Sequence, residues 1–292
     1  MTKAAKTKLP RKVSLNTDEI SIVKANGKHE SFDSEKLRFS LIHSGASAEA
    51  AEEVLTHILP ELRSGMTTTE IYHHAFSILS KISKPAARSY SLRRAVMALG
   101  PSGFPFEDFV AEILKTKGFE CLARQTVLGG CVPHEVDVVA WNKKKLIMVE
   151  AKFHNELGIK SDLKVVLYVK ARFDDLKENV FSYGGKDRLV TDSWLITNTK
   201  FSSTAVHYGI CKNMTLIGWN YPEKGNLQDM IEEESLHPIT CLNTLSTAHK
   251  KALLTAGVVL CSSIEENPEV LEKVLGAGFE SVPVLNEITE LK

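Results

Sequence analysis

Charged residues interrupt two apolar stretches near the middle of the chain, VDVVAW (residues 136–141) and KLIMVEAK (residues 145–152). The first stretch contains Asp137, and the second contains Glu150 and Lys152. Strand interiors usually exclude such groups unless they are paired or bind a ligand. These three side chains are therefore the first candidates for chemistry in this protein.

The two stretches are typical of the strands of a β-hairpin whose loop contains Lys143 and Lys144. In this register Asp137 lies opposite Glu150, and directly opposed Cβ atoms are about 5 Å apart. Alternation along the strand places Lys152 on the same face as Glu150. One face of the hairpin would then carry two carboxylates and an ammonium group.

The same register makes further predictions that a structure can test. It places Val139 opposite Met148 and Glu135 opposite Lys152. It also turns a set of apolar side chains to the opposite face, namely Val136, Val138, Val149 and Ala151.

Two opposed carboxylates repel each other unless a cation lies between them. Hard oxygen ligands suit Mg²⁺ or Mn²⁺, which retain waters that can become nucleophiles. The lysine can orient or deprotonate the attacking water, or stabilise negative charge in the transition state. This is the chemistry of metal-dependent phosphodiester hydrolysis, and the alternative is a surface hairpin with a cross-strand Glu–Lys pair.

The composition limits the class of protein to which these residues belong. With 292 residues, two or three domains are expected. The formal net charge is zero, so nucleic acid would bind through a local surface and not through a global field. Five widely spaced cysteines without a C-x-x-C pair favour a reducing cytoplasm, and no apolar run is long enough to span a membrane.

Breaker sequences and periodicity predict an α/β multi-domain protein. An Asn-Gly hairpin precedes four helical patterns, and GPSGFP (residues 100–105) and YPEKGN (residues 221–226) separate the later segments. The predicted regions are a basic disordered tail (1–17), a small hairpin with a helical bundle (18–102), a segment that combines helices and strands (104–222) and a small acidic helical domain (225–292). The tail could instead be a basic arm that contacts phosphates.

The stretch VKANGKHESFDSEKLRFSL resembles the ATP-cone, the small nucleotide-sensing domain of ribonucleotide reductases and their repressors. The likeness continues through GMTTTEIYHHA and ARSYSLRRAV. It implies that ATP or dATP binds as an allosteric ligand, with Lys24 and Lys36 on the phosphates and Val23 beside the base. The implied turn and further contacts are Gly27, Thr68 and Tyr72. The family often has an arginine at the position of Ala25, so one phosphate donor is missing here.

The segment from residue 104 to residue 221 resembles the PD-(D/E)XK nucleases, and in particular the Mrr-like branch of type IV restriction endonucleases. Asp137, Glu150 and Lys152 match the D…E-x-K motif, while Val136 stands where the motif's name has proline. The resemblance implies a restriction-endonuclease-like α/β core with a mixed sheet flanked by helices. It also implies a site for Mg²⁺ or Mn²⁺ on Asp137 and Glu150, and DNA as the substrate.

The nuclease family often adds an acidic residue from its first helix. The candidates are Glu107, Asp108 and Glu112, and helical geometry favours Glu107 because it lies at the edge of the buried face. Glu107 could equally be a carboxylate that complements the helix dipole. His154 and Lys200 are possible DNA contacts, although a lone histidine beyond the motif is more often structural.

The stretch CLNTLSTAHKKALLTAGVVLCSSI resembles a helix-hairpin-helix module, but the usual glycine pair of that hairpin is absent. The acidic surroundings disfavour DNA contact, and a packing or protein-interaction role fits equally well. Together the patterns predict a cytoplasmic, homo-oligomeric, metal-dependent DNA endonuclease regulated by ATP or dATP. The alternative is a non-catalytic nucleotide sensor that only binds nucleic acid.

Overall fold

The computed structural model of the chain describes residues 20–24, 27–156 and 159–291. The predicted basic tail (1–17) and Ala25 lie outside the described residues. The chain divides into two compact units, Met1–Ser91 and Leu92–Lys292. The division falls inside a helix that begins in the first unit and ends in the second, upstream of the GPSGFP breaker.

The first unit is a two-stranded antiparallel hairpin followed by helices, as the sequence predicts. Its elements are β1 (Ser21–Val23), β2 (His29–Ser31), α1 (Ser34–His43), α2 (Ala48–Ile58), α3 (Thr68–Ile82) and α4 (Lys84–Met97), which continues into the second unit. A short 3₁₀ turn, Leu59–Glu61, follows α2.

Side-chain caps fix where the first helices begin. Asp33 accepts hydrogen bonds from the backbone N–H groups of Glu35 and Lys36 and thereby caps α1. Thr67 and Glu70 form a reciprocal capping box at the start of α3. The predicted helix that opens on threonines with Glu70 in its first turn is confirmed.

The second unit contains a mixed sheet with helices packed against it. Its elements are α5 (Phe104–Thr116), β3 (Glu120–Leu128), β4 (Pro133–Trp141), β5 (Leu146–Lys152), β6 (Lys160–Ser161), α6 (Leu163–Leu176), β7 (Val180–Tyr183), β8 (Lys186–Leu189), β9 (Asp192–Thr197), β10 (Lys200–Phe201), α7 (Ser203–Cys211), β11 (Thr215–Ile217), α8 (Leu227–Glu233), α9 (Thr247–Thr255), α10 (Cys261–Glu266), α11 (Glu269–Leu275) and α12 (Val282–Glu290).

The main sheet has five strands in the order β11-β9-β5-β4-β3. Strands β3, β4 and β5 pair antiparallel, whereas β5, β9 and β11 pair parallel. The expected mixed α/β class is therefore confirmed. The predicted boundary at residues 222–225 lies inside this unit, because Leu227 and Val259 belong to the same hydrophobic core as Phe106.

Two hydrophobic clusters cover the two faces of the strand pair β4–β5. The α5-side cluster contains Phe106 and Phe109 together with Val138 and Val149. The α6-side cluster contains Leu176 and joins it to a set of strand residues, Val136, Val139, Trp141, Leu146 and Met148. Burial on both faces explains why these strands are almost continuously apolar.

The predicted hairpin register of β4 and β5 is confirmed. Val139 pairs with Met148, and the Asn142 N–H donates to the Lys145 carbonyl at 3.0 Å where the loop closes. Asn142 Oδ1 also accepts from the backbone of Lys144, which pins the turn.

Four strands have no counterpart in the sequence prediction, namely β3, β6, β7 and β8. Strand β3 forms an edge of the main sheet, and β7 with β8 forms a separate hairpin. Gly184 and Gly185 make the turn of that hairpin, and Gly184 has a φ of 60° that strongly favours glycine. A Cβ on Gly184 would also lie 2.6 Å from Trp141 Nε1, so the turn packs closely on the main sheet.

The C-terminal helices form their own hydrophobic cluster, which includes Leu253, Ile264, Leu271 and Ile288. Helix α9 ends at Thr255 and is followed by its C-cap Ala256 and then Gly257, and α10 begins at Cys261. Among the helices in the part of the chain that the structure describes, none has the length and apolar composition needed to cross a bilayer.

One carboxylate ties α12 to the loop before α9. Glu287 accepts hydrogen bonds from the backbone N–H groups of Asn243 and Thr244 at 2.6 and 2.8 Å, and from both of their side chains.

We expect Glu287→Ala to destabilise the protein by about 1–3 kcal/mol, because backbone donors lose a charged acceptor. Urea unfolding measures this change. The control is Glu290→Ala on the same helix, and an equal effect of both variants would contradict the assignment.

Candidate active site

The pairing of β4 with β5 ends at the residues that the sequence singled out. The ladder runs from Trp141 and Leu146 to Val138 and Val149. The next position is Asp137, whose Oδ2 accepts the Ala151 N–H at 2.7 Å. A carboxylate thus takes the place of a backbone acceptor, and the strands separate beyond it.

The edge strand β3 distorts at the same level. Arg124 has a φ of 54°, unusual for a residue other than glycine, and it is the residue opposite Asp137 in the β3–β4 register. Beyond this point Val136 packs in the α6-side cluster, whereas Val138 packs in the α5-side cluster. The prediction that Val136 shares a face with Val138 is therefore wrong, because the local distortion interrupts the alternation.

Three carboxylates converge around this opening. Glu107 from α5 is only 8% exposed, and Asp137 and Glu150 are partly buried on the two strands. Burial, together with the charges of Glu150 and Glu107, raises the pKa of Asp137 to about 7, although the Ala151 N–H opposes the shift. Burial likewise raises the pKa of Glu107. The opening holds more negative charge than its hydrogen bonds compensate.

Two arginines partly neutralise these carboxylates. Arg172 of α6 donates to Glu150 Oε2 at 2.6 Å, and both side chains are mostly buried. Arg124 lies 2.7 Å from Asp108 and 3.6 Å from Glu107. The sequence alone identified neither Arg124 nor Arg172 as a partner of these carboxylates. The hairpin register could have revealed neither, since both lie on other elements.

Lys152 is half-buried at the end of β5, where it pairs with Thr197 of β9. Among residues 20–24, 27–156 and 159–291, Lys152 forms no ion pair. Glu135 does not lie opposite Lys152 as predicted, because the β4–β5 ladder has already ended. Glu135 instead pairs with Thr126 of β3 and is exposed.

His154 belongs to a polar network next to the site. Its backbone N–H donates to Asn198 Oδ1 at 2.8 Å, and its Nε2 lies 3.0 Å from Ser161 Oγ. Ser161 Oγ in turn donates to Thr197 Oγ1 at 3.3 Å. Burial lowers the pKa of His154, as does the charge of Lys152. These contacts give His154 a structural role; a DNA contact remains a prediction.

The donor set suits a hard cation, although it is sparse. Among the described residues, no group of three or more His, Cys, Asp or Glu side chains has the arrangement of a metal site. Mg²⁺ commonly uses only one or two carboxylates and completes its shell with water and substrate phosphates. Asp137 and Glu150 supply two such oxygen ligands. Glu107 Oε2, buried without a hydrogen-bond partner, adds negative charge close by.

A cavity of about 530 Å³ lies away from these carboxylates. It is lined by residues of β3 and β7, from Thr126 to Leu128 and from Asn179 to Tyr183. It contains none of the predicted site residues. The chemistry therefore points to the opened strands and not to this cavity.

In the first unit, the two predicted phosphate ligands lie side by side. Lys24 Nζ is 2.7 Å from Glu30 Oε2, and Lys36 Nζ is 3.8 Å from the same atom. The two ammonium groups therefore converge on one point, with Glu30 between them. The local geometry suits a triphosphate that replaces the carboxylate.

The other predicted nucleotide contacts each have a local role in the fold of the first unit. Val23 ends β1 and donates to the Met66 carbonyl at 3.0 Å, and Gly27 has a φ of 78°. Thr68 is the first residue of α3, but Thr67 is the helix cap. The Tyr72 ring stacks on Tyr90 at 5.1 Å between centroids, so packing already uses one of its faces.

The fold and the site define a mixed α/β protein with a carboxylate-rich opening between two strands. Residues 237–291 match the family described as AF1548-like, C-terminal. The chain is 35% identical to an uncharacterized protein of Archaeoglobus fulgidus over 183 residues, which cover 63% of this chain and 98% of the relative. It is also similar to the crystal structure of the protein of unknown function AF1548. That comparison has a TM-score of 0.53 and 33% identity, and it covers 65% of this chain and 96% of the solved one. The chain belongs to this AF1548-like family.

The raised pKa of Asp137 predicts a stability gain when its charge is removed. The native state retains a proton that the unfolded chain loses above about pH 4, so the carboxylate destabilises the fold increasingly as the pH rises towards about 7. We expect Asp137→Asn without divalent metal to be more stable than the wild type by about 1–2 kcal/mol at pH 8, and nearly equal to it at pH 4.

Urea unfolding in EDTA at the two pH values measures this difference. The matched control is Glu135→Gln, an exposed carboxylate on the same strand, which should change stability little at either pH. If Asp137→Asn destabilises the protein equally at both pH values, the carboxylate acts only as a hydrogen-bond acceptor for Ala151.

Proposed function

We propose that the protein is a metal-dependent DNA endonuclease of restriction-endonuclease type that hydrolyses phosphodiester bonds. The observation that carries the proposal is the opening of β4 from β5, where Asp137 and Glu150 stand at matching positions and Lys152 follows two residues later. The likeness of residues 104–221 to the PD-(D/E)XK nucleases supports the same conclusion.

In this proposal Asp137 and Glu150 hold Mg²⁺ or Mn²⁺. The raised pKa of Asp137 supports such a fit, because a cation between the carboxylates would relieve the repulsion that raises it. The bound ion would supply Lewis acidity for attack on phosphorus.

Each neighbouring side chain has a separate task. Lys152 would orient the attacking water and stabilise negative charge on the phosphate as the new bond forms. Arg172 would fix Glu150 in position through its 2.6 Å hydrogen bond. Buried Glu107 would add negative potential behind the ion, and Arg124 would limit that potential.

A second proposal concerns the first unit, which would bind ATP or dATP and regulate the nuclease. Its support is the convergence of Lys24 and Lys36 on Glu30, together with the likeness to the ATP-cone. The cytoplasmic location, the homo-oligomer and the DNA substrate belong to the same set of proposals.

The alternative function is a non-catalytic nucleotide sensor that binds nucleic acid. One observation favours it: Glu150 already has an ion partner in Arg172, as in a site that needs no metal. Cleavage assays separate the two functions.

We expect the wild type to nick or cleave plasmid DNA with Mg²⁺ or Mn²⁺ and not in EDTA. Asp137→Asn, Glu150→Gln and Lys152→Met should each reduce the rate by at least about 100-fold, since each removes a charge used at the reacting phosphate. The controls are Glu135→Gln and Lys144→Met, which alter exposed charges on the same hairpin. Equal cleavage by wild type and Lys152→Met would refute the site, and DNA binding without cleavage in any divalent metal would favour the sensor.

Removal of either converging lysine should weaken nucleotide binding. We expect Lys24→Met and Lys36→Met each to raise the Kd for ATP by about tenfold, because each removes a charge-assisted phosphate contact. Isothermal titration calorimetry with ATP and dATP measures the change. Lys81→Met in the last turn of α3 is the matched control, and unchanged Kd values in all three variants would rule out this phosphate site.

A further inference from the structure

Three basic side chains gather at the end of the parallel strands in the second unit. Lys160 and Lys200 are direct register partners in the parallel pair β6–β10. Side chains of like charge at paired positions repel each other. The third is Arg93 of α4, only 5% exposed, with its Cζ 5.9 Å from the centre of the Trp219 ring.

Neighbouring contacts fix Arg93 next to the lysine pair. The backbone N–H of Trp219 donates to the Thr199 carbonyl at 2.8 Å, which places the Trp219 backbone beside the residue before Lys200. One turn further along α4, Met97 Sδ accepts a hydrogen bond from Asn198 Nδ2 at 3.0 Å. Burial lowers the pKa of Lys200, and the charges of Arg93 and Lys160 lower it further.

The buried charge of Arg93 destabilises the folded state. Its Nε is buried without a hydrogen-bond partner, and among the described residues it forms no ion pair with a carboxylate. Burial accordingly lowers the pKa of the guanidinium group. A buried cation without a counter-ion destabilises a protein, and two nearby lysines increase that effect. An anion from outside the chain would relieve it.

The position of the three cations relates them to the proposed nuclease site. Lys152 pairs with Thr197, and Lys200 follows Thr197 by three residues, which span at most about 10 Å. Consecutive nucleotides of one DNA strand rise by about 3.4 Å. The three basic side chains therefore lie within a few nucleotides, measured along one DNA strand, of a phosphate bound by Lys152.

We infer that Arg93, Lys160 and Lys200 form a phosphate site that holds the DNA backbone a few nucleotides from the cleaved bond. This inference rests on the proposed nuclease function and identifies where the uncleaved part of the strand is bound. The site recognises the phosphodiester and not the base, so its contribution is independent of sequence.

The first test compares DNA binding over a series of salt concentrations. Fluorescence anisotropy with a labelled duplex, in Ca²⁺ or EDTA to limit cleavage, gives the affinity and its salt dependence. We expect the double variant Lys160→Gln/Lys200→Gln to bind at least about tenfold more weakly and to lower the slope of log K against log salt by about 2. The matched control is Lys143→Gln/Lys186→Gln, which removes two exposed lysines at the opposite end of the strands.

The second test uses Arg93→Met, whose stability and binding should change in opposite directions. Removal of the buried charge should raise the Tm by about 2–4 °C, while DNA affinity falls. A structural arginine would behave differently, with a lower Tm and unchanged binding, and that result would overturn the inference.

The outcomes separate this inference from the proposed nuclease function. If the wild type cleaves DNA and the double variant binds it as tightly as the wild type does, the phosphate site is wrong and the nuclease stands. A different outcome is that the wild type neither binds nor cleaves DNA, but has a higher Tm in sodium phosphate than in sodium chloride of equal ionic strength. If the double variant shows no such rise in Tm, the site binds free phosphate. The DNA assignment then fails.

Discussion

The arrangement of the second unit depends on one hydrogen bond, from the Ala151 N–H to the Asp137 carboxylate. A β-ladder normally continues as long as both backbones offer partners, and here a side chain takes the acceptor's place. The backbone of β5 remains satisfied while β4 moves away from it. Without that bond, the opening would leave a buried N–H without a partner, which is costly. The carboxylates meet at this opening because the sheet ends its pairing there.

Charge balance is the second constraint on the site. Three carboxylates, Glu107, Asp137 and Glu150, face two arginines that come from β3 and α6. Arg172 and Glu150 form a mostly buried pair, and the loss of either partner would leave an uncompensated charge. Asp137 has the least direct compensation, and burial together with the charges of its neighbouring carboxylates raises its pKa to about 7. Such sites hold strain that a ligand can relieve.

The hairpin could be derived from sequence because its two strands are adjacent and their register follows from a short loop. Alternation along these strands was then enough to predict that Asp137, Glu150 and Lys152 share a face. The break in alternation at Val136 could not be derived from the sequence, because it depends on the left-handed backbone of Arg124 on a third strand. Strand β3 was missed because polar residues alternate along it as an edge strand, without a continuous apolar run. Arg172 lies on a helix far along the chain, and only the packing of α6 brings it to Glu150.

The ion pairs around Glu30 have a further consequence for the first unit. Lys24 and Lys36 already share a carboxylate, so an anion bound there under the proposal above would compete with Glu30 for both ammonium groups. The net gain is then the difference between the new contacts and the two ion pairs that are lost. A weakly charged anion gains little in this exchange, whereas a polyphosphate offers several oxygens to the same two ammonium groups. In the proposed nucleotide site, Glu30 would thus compete with the ligand and set the ligand charge that binding requires.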